Sequence, residues 1–129
     1  MDSKKFLLFV NEKRNQTEAK QDCENQFAKN GRLLEPKDTN TNKLVYEESK
    51  NVFGEDDYIW VGIDDISAEN QWTYSSSGQN LSKTFWNNEQ PDGGTNQGCV
   101  IYFKAKEGLW NDVECSSEFR YICLNKLFC

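Results

Sequence analysis

Five cysteines, Cys23, Cys99, Cys115, Cys123 and Cys129, constrain this chain more than any other feature. None forms a C-x-x-C pair, which argues against a thiolate zinc site or a redox motif. Four widely spaced cysteines with a fifth left over suit disulfide bonding in an oxidising compartment. Two glycosylation sequons, "NQT" at Asn15 and "NLS" at Asn80, agree with secretion. "FLLFV" after two lysines is too short for a signal peptide and runs into the charged "NEKR", so it reads as a strand. A secretory signal, if one exists, is expected to have been removed. No segment is apolar for long enough to span a membrane.

At 129 residues the chain suits one domain, residues 1–129, with enough length for a real core. Seventeen aromatic residues (eight Phe, five Tyr, four Trp) argue against disorder. The net charge of −6, with cations scattered among the acids, leaves no basic stripe for nucleic acid. The absence of histidine removes the commonest general base and zinc ligand. No phosphate-binding glycine loop and no nucleophile elbow is present, so catalysis is the least favoured class.

The pattern predicts a strand, two helices, then strands around a long polar excursion. "NQTE" forms a capping box, with Asn15 as cap and Glu18 reaching back. Ala19, Cys23 and Phe27 then share one helical face, and "NG" at Asn30–Gly31 stops the helix. Leu33 and Leu34 make a short apolar piece ended by Pro36. A second helix is expected over about residues 42–53, with Leu44, Val45, Glu48, Val52 and Phe53 inward and Gly54 ending it. "YIWVGI" is a strongly apolar strand. Turn residues dominate the next 35 or so positions. Trp72, Tyr74, Phe85 and Trp86 punctuate that loop. "CVIYF", "GLWNDVEC" and "FRYICLN" complete the strands. With no internal repeat or boundary, the class is α+β.

The excursion ends in "NEQPDGGTNQGC", which lacks any large apolar residue, and "WND" begins eleven residues after Cys99. "QPD" alone reads better as a polar surface turn with no ion. Taken with "WVGI", "WND", "NQTEAKQDC", "FRYIC" and the order of four cysteines, it resembles a C-type lectin-like domain over nearly the whole chain. The resemblance implies two helices, antiparallel strands and a long calcium- and sugar-binding loop. It also implies the disulfides Cys23–Cys123 and Cys99–Cys115, and a cis bond before Pro91. It implies one Ca2+ held by Gln90, Asp92, Asn111 and Asp112, with Gln97 and Asn96 as further oxygen donors. The same Gln90, Asp92, Gln97, Asn111 and Asp112 would hydrogen-bond a sugar whose hydroxyls reach the ion. The order Gln-Pro-Asp goes with galactose-type sugars in the family.

Three departures from the family pattern bear on that expectation. Gln97 stands where the family usually has glutamate, which removes a charge and should lower calcium affinity. Gly93 and Gly94 replace the aromatic that commonly stacks on galactose, leaving Trp86, Tyr102 and Phe103 as other candidates. Gly93 also removes an acid needed by the family's auxiliary ion site, hence the expectation of a single calcium. The leading expectation is therefore a secreted lectin for glycans of glycoproteins or glycolipids, with no membrane insertion. The alternatives are a calcium-independent protein-binding relative, a lectin preferring mannose or fucose, or a surface-active role on ice or mineral. Cys129, outside the frame of four, suggests a disulfide-linked homodimer.

Overall fold

The computed structural model describes residues 7–54, 58–92, 98–103 and 108–125. The elements run β1 (Leu7–Arg14), α1 (Gln16–Lys29), β2 (Gly31–Leu33), α2 (Thr39–Phe53), β3 (Ile59–Asp64), β4 (Thr73–Tyr74), β5 (Cys99–Phe103), β6 (Leu109–Val113) and β7 (Phe119–Asn125). One sheet contains all seven strands in the order β1-β7-β3-β5-β6, with β2 on β7 and β4 on β3. Most pairs are antiparallel, as expected. The β3–β7 pair is parallel, with Ile59 opposite Arg120 and Trp60 opposite Tyr121. The long excursion and the β5–β6 hairpin supply the crossover that a parallel pair requires. The sheet is therefore mixed.

The capping box forms as its residues dictate. The Glu18 amide donates to Asn15 Oδ1 at 2.9 Å, and the Asn15 amide donates to Glu18 Oε1 at 3.3 Å. Ala19 and Cys23 are fully buried against the sheet. Regular helix ends earlier than "NG" predicts. Gln26 turns extended, and Phe27, Ala28 and Lys29 take φ of 55°, 54° and 71°. Left-handed backbone costs about 1–2 kcal/mol per non-glycine residue. The chain doubles back so tightly that a Cβ on Gly31 would lie 2.0 Å from the Cys23 carbonyl oxygen. Only glycine fits there.

Helix α2 corrects a sequence expectation. It starts at Thr39 behind an Asp38 cap, whose Oδ1 accepts from the Thr41 amide at 2.8 Å. This bond and the Thr41 hydroxyl hold the Asp38 carboxyl below its ordinary pKa. The buried face is Asn42, Val45, Tyr46 and Ser49, while Leu44 and Val52 are exposed by 65% and 52% and Glu48 also faces solvent. Polar Asn42 belongs inside because it completes two buried bonds. Its Nδ2 donates to the Gly108 carbonyl at 2.9 Å, and its Oδ1 accepts from Trp110 Nε1 at 3.1 Å.

Two disulfides fix the frame, Cys23–Cys123 and Cys99–Cys115, with sequence separations of 100 and 16. In the chain-entropy picture loops of these lengths contribute about 4.7 and about 3 kcal/mol. The first joins α1 to β7; the second bridges the start of β5 to the turn after β6. Trp60 and Trp110 are fully buried. Trp72, Phe85 and Trp86 of the excursion pack on the same core, linked by edge-on contacts from Trp72 to Trp86 and from Trp86 and Phe85 to Trp110.

Asn42→Leu keeps the volume of this joint but strands the Trp110 indole N–H and the Gly108 carbonyl. It should cost about 1–3 kcal/mol for each stranded group. Urea unfolding checks this as a lower midpoint at unchanged slope.

Candidate ligand site

The outer edge of β6 organises the site. Its inner edge pairs with β5 from Cys99–Val113 to Phe103–Leu109. On the outer side, residues two apart have backbone groups that need other partners. The long excursion supplies them. The Trp110 amide donates to the Phe85 carbonyl at 2.7 Å, and the Asn87 amide donates to the Trp110 carbonyl at 2.9 Å. Two residues on, the Asp112 amide donates to Gln90 Oε1 at 3.2 Å, and the Asp92 amide donates to Asp112 Oδ1 at 3.1 Å. The Gln90–Pro91 bond between them is cis. The triplet and "WND", twenty positions apart in sequence, are thus laid side by side.

The site is built from oxygens. Asp112 is buried at 3% exposure, Gln90 and Asn111 are half-buried, and Asp92 is exposed. Asn111 Oδ1 is buried and accepts no hydrogen bond from the described residues. A buried acceptor without a donor costs about 1–3 kcal/mol, which a cation or a ligand donor would offset. Gln90 Oε1, bonded once, keeps a second lone pair. Among the described residues no three His, Cys, Asp or Glu side chains are grouped to hold a metal. A cation here must therefore rely largely on amide oxygens, a donor set suited to a hard ion. Gln97 and Asn96 lie outside the described residues.

Two of the aromatic candidates for sugar stacking change standing. Tyr102 is fully buried, its hydroxyl without a hydrogen-bond partner among the described residues and its pKa raised by burial, so it cannot meet a ligand. Trp86 is half-buried and engaged with Trp72 and Trp110. The side chain of Phe103 lies outside the described ones.

Sequence reasoning passed over a second acidic group. Asp64 is buried, and its Oδ2 accepts from Ser75 Oγ at 2.8 Å and Gln16 Nε2 at 3.2 Å, tying α1 to the excursion. Asp65 accepts from the Asn70 amide at 2.9 Å. The Glu69 carboxyl is held above its ordinary pKa, first by desolvation, then by the charge and hydrogen bond of Asp65 and the charge of Asp112. The available signal was the spacing of Asp65 and Glu69 in "DDISAE".

Comparison with known proteins places this geometry. The profile of the lectin C-type domain matches residues 12–125. Human (Homo sapiens) tetranectin is 32% identical over 121 residues, covering 92% of this chain and 57% of its own length. The chain spans just over half the length of this and the mouse (Mus musculus) tetranectin, 57% and 58%. Two solved structures share the fold. Human lithostathine has a TM-score of 0.81 at 23% identity, with 91% of this chain and 80% of that one covered. C-type lectin CEL-I from Cucumaria echinata has a TM-score of 0.81 at 20% identity, with 91% and 86% covered.

Gln90→Ala removes the side-chain acceptor of the Asp112 amide. Hydrogen exchange at Asp112 should accelerate by about tenfold, the value of one ordinary hydrogen bond, with core amides such as Val61 unaffected.

Proposed function

The chain belongs to the C-type lectin domain family, a binding fold rather than an enzyme family, and on that premise we propose that it is a secreted, calcium-dependent lectin for galactose- or N-acetylgalactosamine-type glycans. The observation that carries the reading is the buried Asn111 Oδ1, which accepts no hydrogen bond among the described residues, on the strand that carries Asp112 and its clasp with Gln90 and Asp92. When bound, one Ca2+ would supply a positive centre that accepts sugar hydroxyl oxygens as ligands. Gln90, Asp92, Asn111 and Asp112 hold it, with Gln97 and Asn96 as further oxygens. Around it the chain's own groups discriminate. The Gln90 and Asn111 carboxamides donate N–H bonds to hydroxyl oxygens, and the Asp92 and Asp112 carboxylates take hydroxyl protons. The Gln-Pro-Asp order supports the galactose preference through the donor and acceptor it presents to one hydroxyl.

Gln97, in the family's glutamate position, favours a second reading, a calcium-independent protein-binding domain. A mannose or fucose preference is the third. Glycoproteins and glycolipids are the partners of the first reading. No helix among the described residues is long and apolar enough to cross a membrane. Cys129 lies outside the described residues. It joins two copies in our reading, and pairing two weak sites raises avidity by about 10²–10⁴.

Asp112→Ala should abolish calcium binding in a calorimetric titration and glycan binding on an array, with near-native circular dichroism. Full-strength glycan binding by that variant would end the calcium reading. Free galactose should inhibit binding better than free mannose; the reverse order would mean that the triplet does not set specificity here.

Wild-type protein should run at double mass on a non-reducing denaturing gel, and Cys129→Ser at single mass. Monosaccharide affinity should not change while cell agglutination weakens. A wild-type band at single mass with one titratable thiol per chain excludes the covalent dimer.

A further inference from the structure

The fold treats its two sequons differently. Asn15 of "NQT" is half-buried, and its Oδ1 is the cap that accepts from the Glu18 amide at 2.9 Å. The next residue, Gln16, is buried, and its amide donates to the Cys115 carbonyl at 3.2 Å. Asn80 of "NLS" is exposed, and its side chain makes no hydrogen bond among the described residues. It bridges Thr73 of β4 at the foot of a turn in which the Gly78 amide donates to the Tyr74 carbonyl at 2.8 Å. Leu81 packs on the core, and alternation along extended chain sends Asn80 to the other side. Ser82 Oγ lies 2.9 Å from the Tyr74 hydroxyl, and the Ser82 amide donates to that hydroxyl at 3.1 Å. The two residues after Asn80 are therefore pinned, while the Asn80 carboxamide secures nothing.

We propose that Asn80, rather than Asn15, is an N-glycosylation acceptor and takes its oligosaccharide from a lipid pyrophosphate-linked donor. The proposal rests on the secretion reading above, because such donors serve the secretory compartment. In the transfer Asn80 Nδ2 forms a bond to the anomeric carbon of the donor sugar. The bond from that carbon to the pyrophosphate oxygen breaks, the lipid pyrophosphate leaves with the bonding pair, and Nδ2 gives up one proton. The Ser82 hydroxyl that completes the acceptor triplet is engaged with Tyr74 in the fold. Transfer therefore precedes closure of this turn, and the fold has only to leave room for the product, as it does at Asn80. The modified residue also stands clear of the clasp. Pairings run from Asn80 to Thr73, Asp64, Cys99 and Val113, the residue after Asp112. Four strand spacings amount to about 19 Å. The glycan lies beyond β4 and the clasp on the outer edge of β6, so the oxygens of Gln90, Asp92, Asn111 and Asp112 stay open.

The test is expression of the full chain in eukaryotic secretory cells, read as intact mass with and without peptide N-glycosidase. Wild type should carry an oligosaccharide that the glycosidase removes, with aspartate left at position 80 in the peptide map. Asn80→Gln should lose the whole shift and keep both disulfides, since Asn80 is exposed. Thr17→Ala breaks the other sequon without touching the Asn15 cap and should leave the shift unchanged. Ser82→Thr keeps the acceptor triplet and the shift, whereas Ser82→Ala loses it. A chain secreted with both disulfides but no glycan overturns the proposal and leaves the secretion reading standing. A shift that Thr17→Ala removes and Asn80→Gln does not overturns it as well. A chain retained in the cytosol with reduced cysteines ends the secretion reading. Fusing a secretory leader to that same chain then decides the acceptor: modification at Asn80 upholds the proposal, and none overturns it.

Discussion

The outer edge of β6 must be hydrogen-bonded by something, and the site exists because the long excursion does it. An unpaired edge invites intermolecular pairing. Here the Trp110 amide and carbonyl take Phe85 and Asn87, and Asp112 takes Gln90 and Asp92. Burial of the Trp110 side chain sets the phase of the strand. Asp112, two residues on, is then drawn under the loop. A chemically polar loop is held in register by an apolar anchor at its root.

That anchor depends on elements far away in sequence. Asn42 on α2 fixes the Trp110 indole, and Gly108 leaves room where a Cβ would sit 3.2 Å from that of Tyr46. The two disulfides hold the ends of the same assembly, one through β7 and the other beside β5 and β6. Binding chemistry is concentrated in side chains that contribute little to the core. Asp112 is the exception, since it is buried and also secures the Asp92 amide. Losing the Asp112 carboxylate therefore unseats the triplet as well as removing an oxygen from the proposed ion site.

Much of this was legible in the sequence because local chemistry and tertiary demand agree. The Asn15 capping box, the apolar run of β3 and the closing strands formed where their residues predict. The cysteine pairing expected from the family resemblance is the one observed. Errors arose where the two disagree. Periodicity could not put Asn42 inside and Leu44 outside, because the inward preference of Asn42 comes from a tryptophan 68 residues away. The left-handed end of α1 is imposed by tight packing at Gly31. Asp65 and Glu69 were passed over because the meeting of Glu69 with Asp65 and with the charge of Asp112 arises only in the fold. The candidate ligands Gln90, Asp92, Asn111 and Asp112 were named from motifs; their backbone clasp was not foreseeable from them.

The central claim is that oxygens of the clasp hold a single cation. A calcium titration followed by amide NMR tests it at atomic level. The side-chain amides of Gln90 and Asn111 and the backbone amides of Asp92 and Asp112 should shift together along one saturable curve, and chelator should reverse it. Shifts confined to residues around Asp65 and Glu69, or no saturable shift at all, would contradict the account.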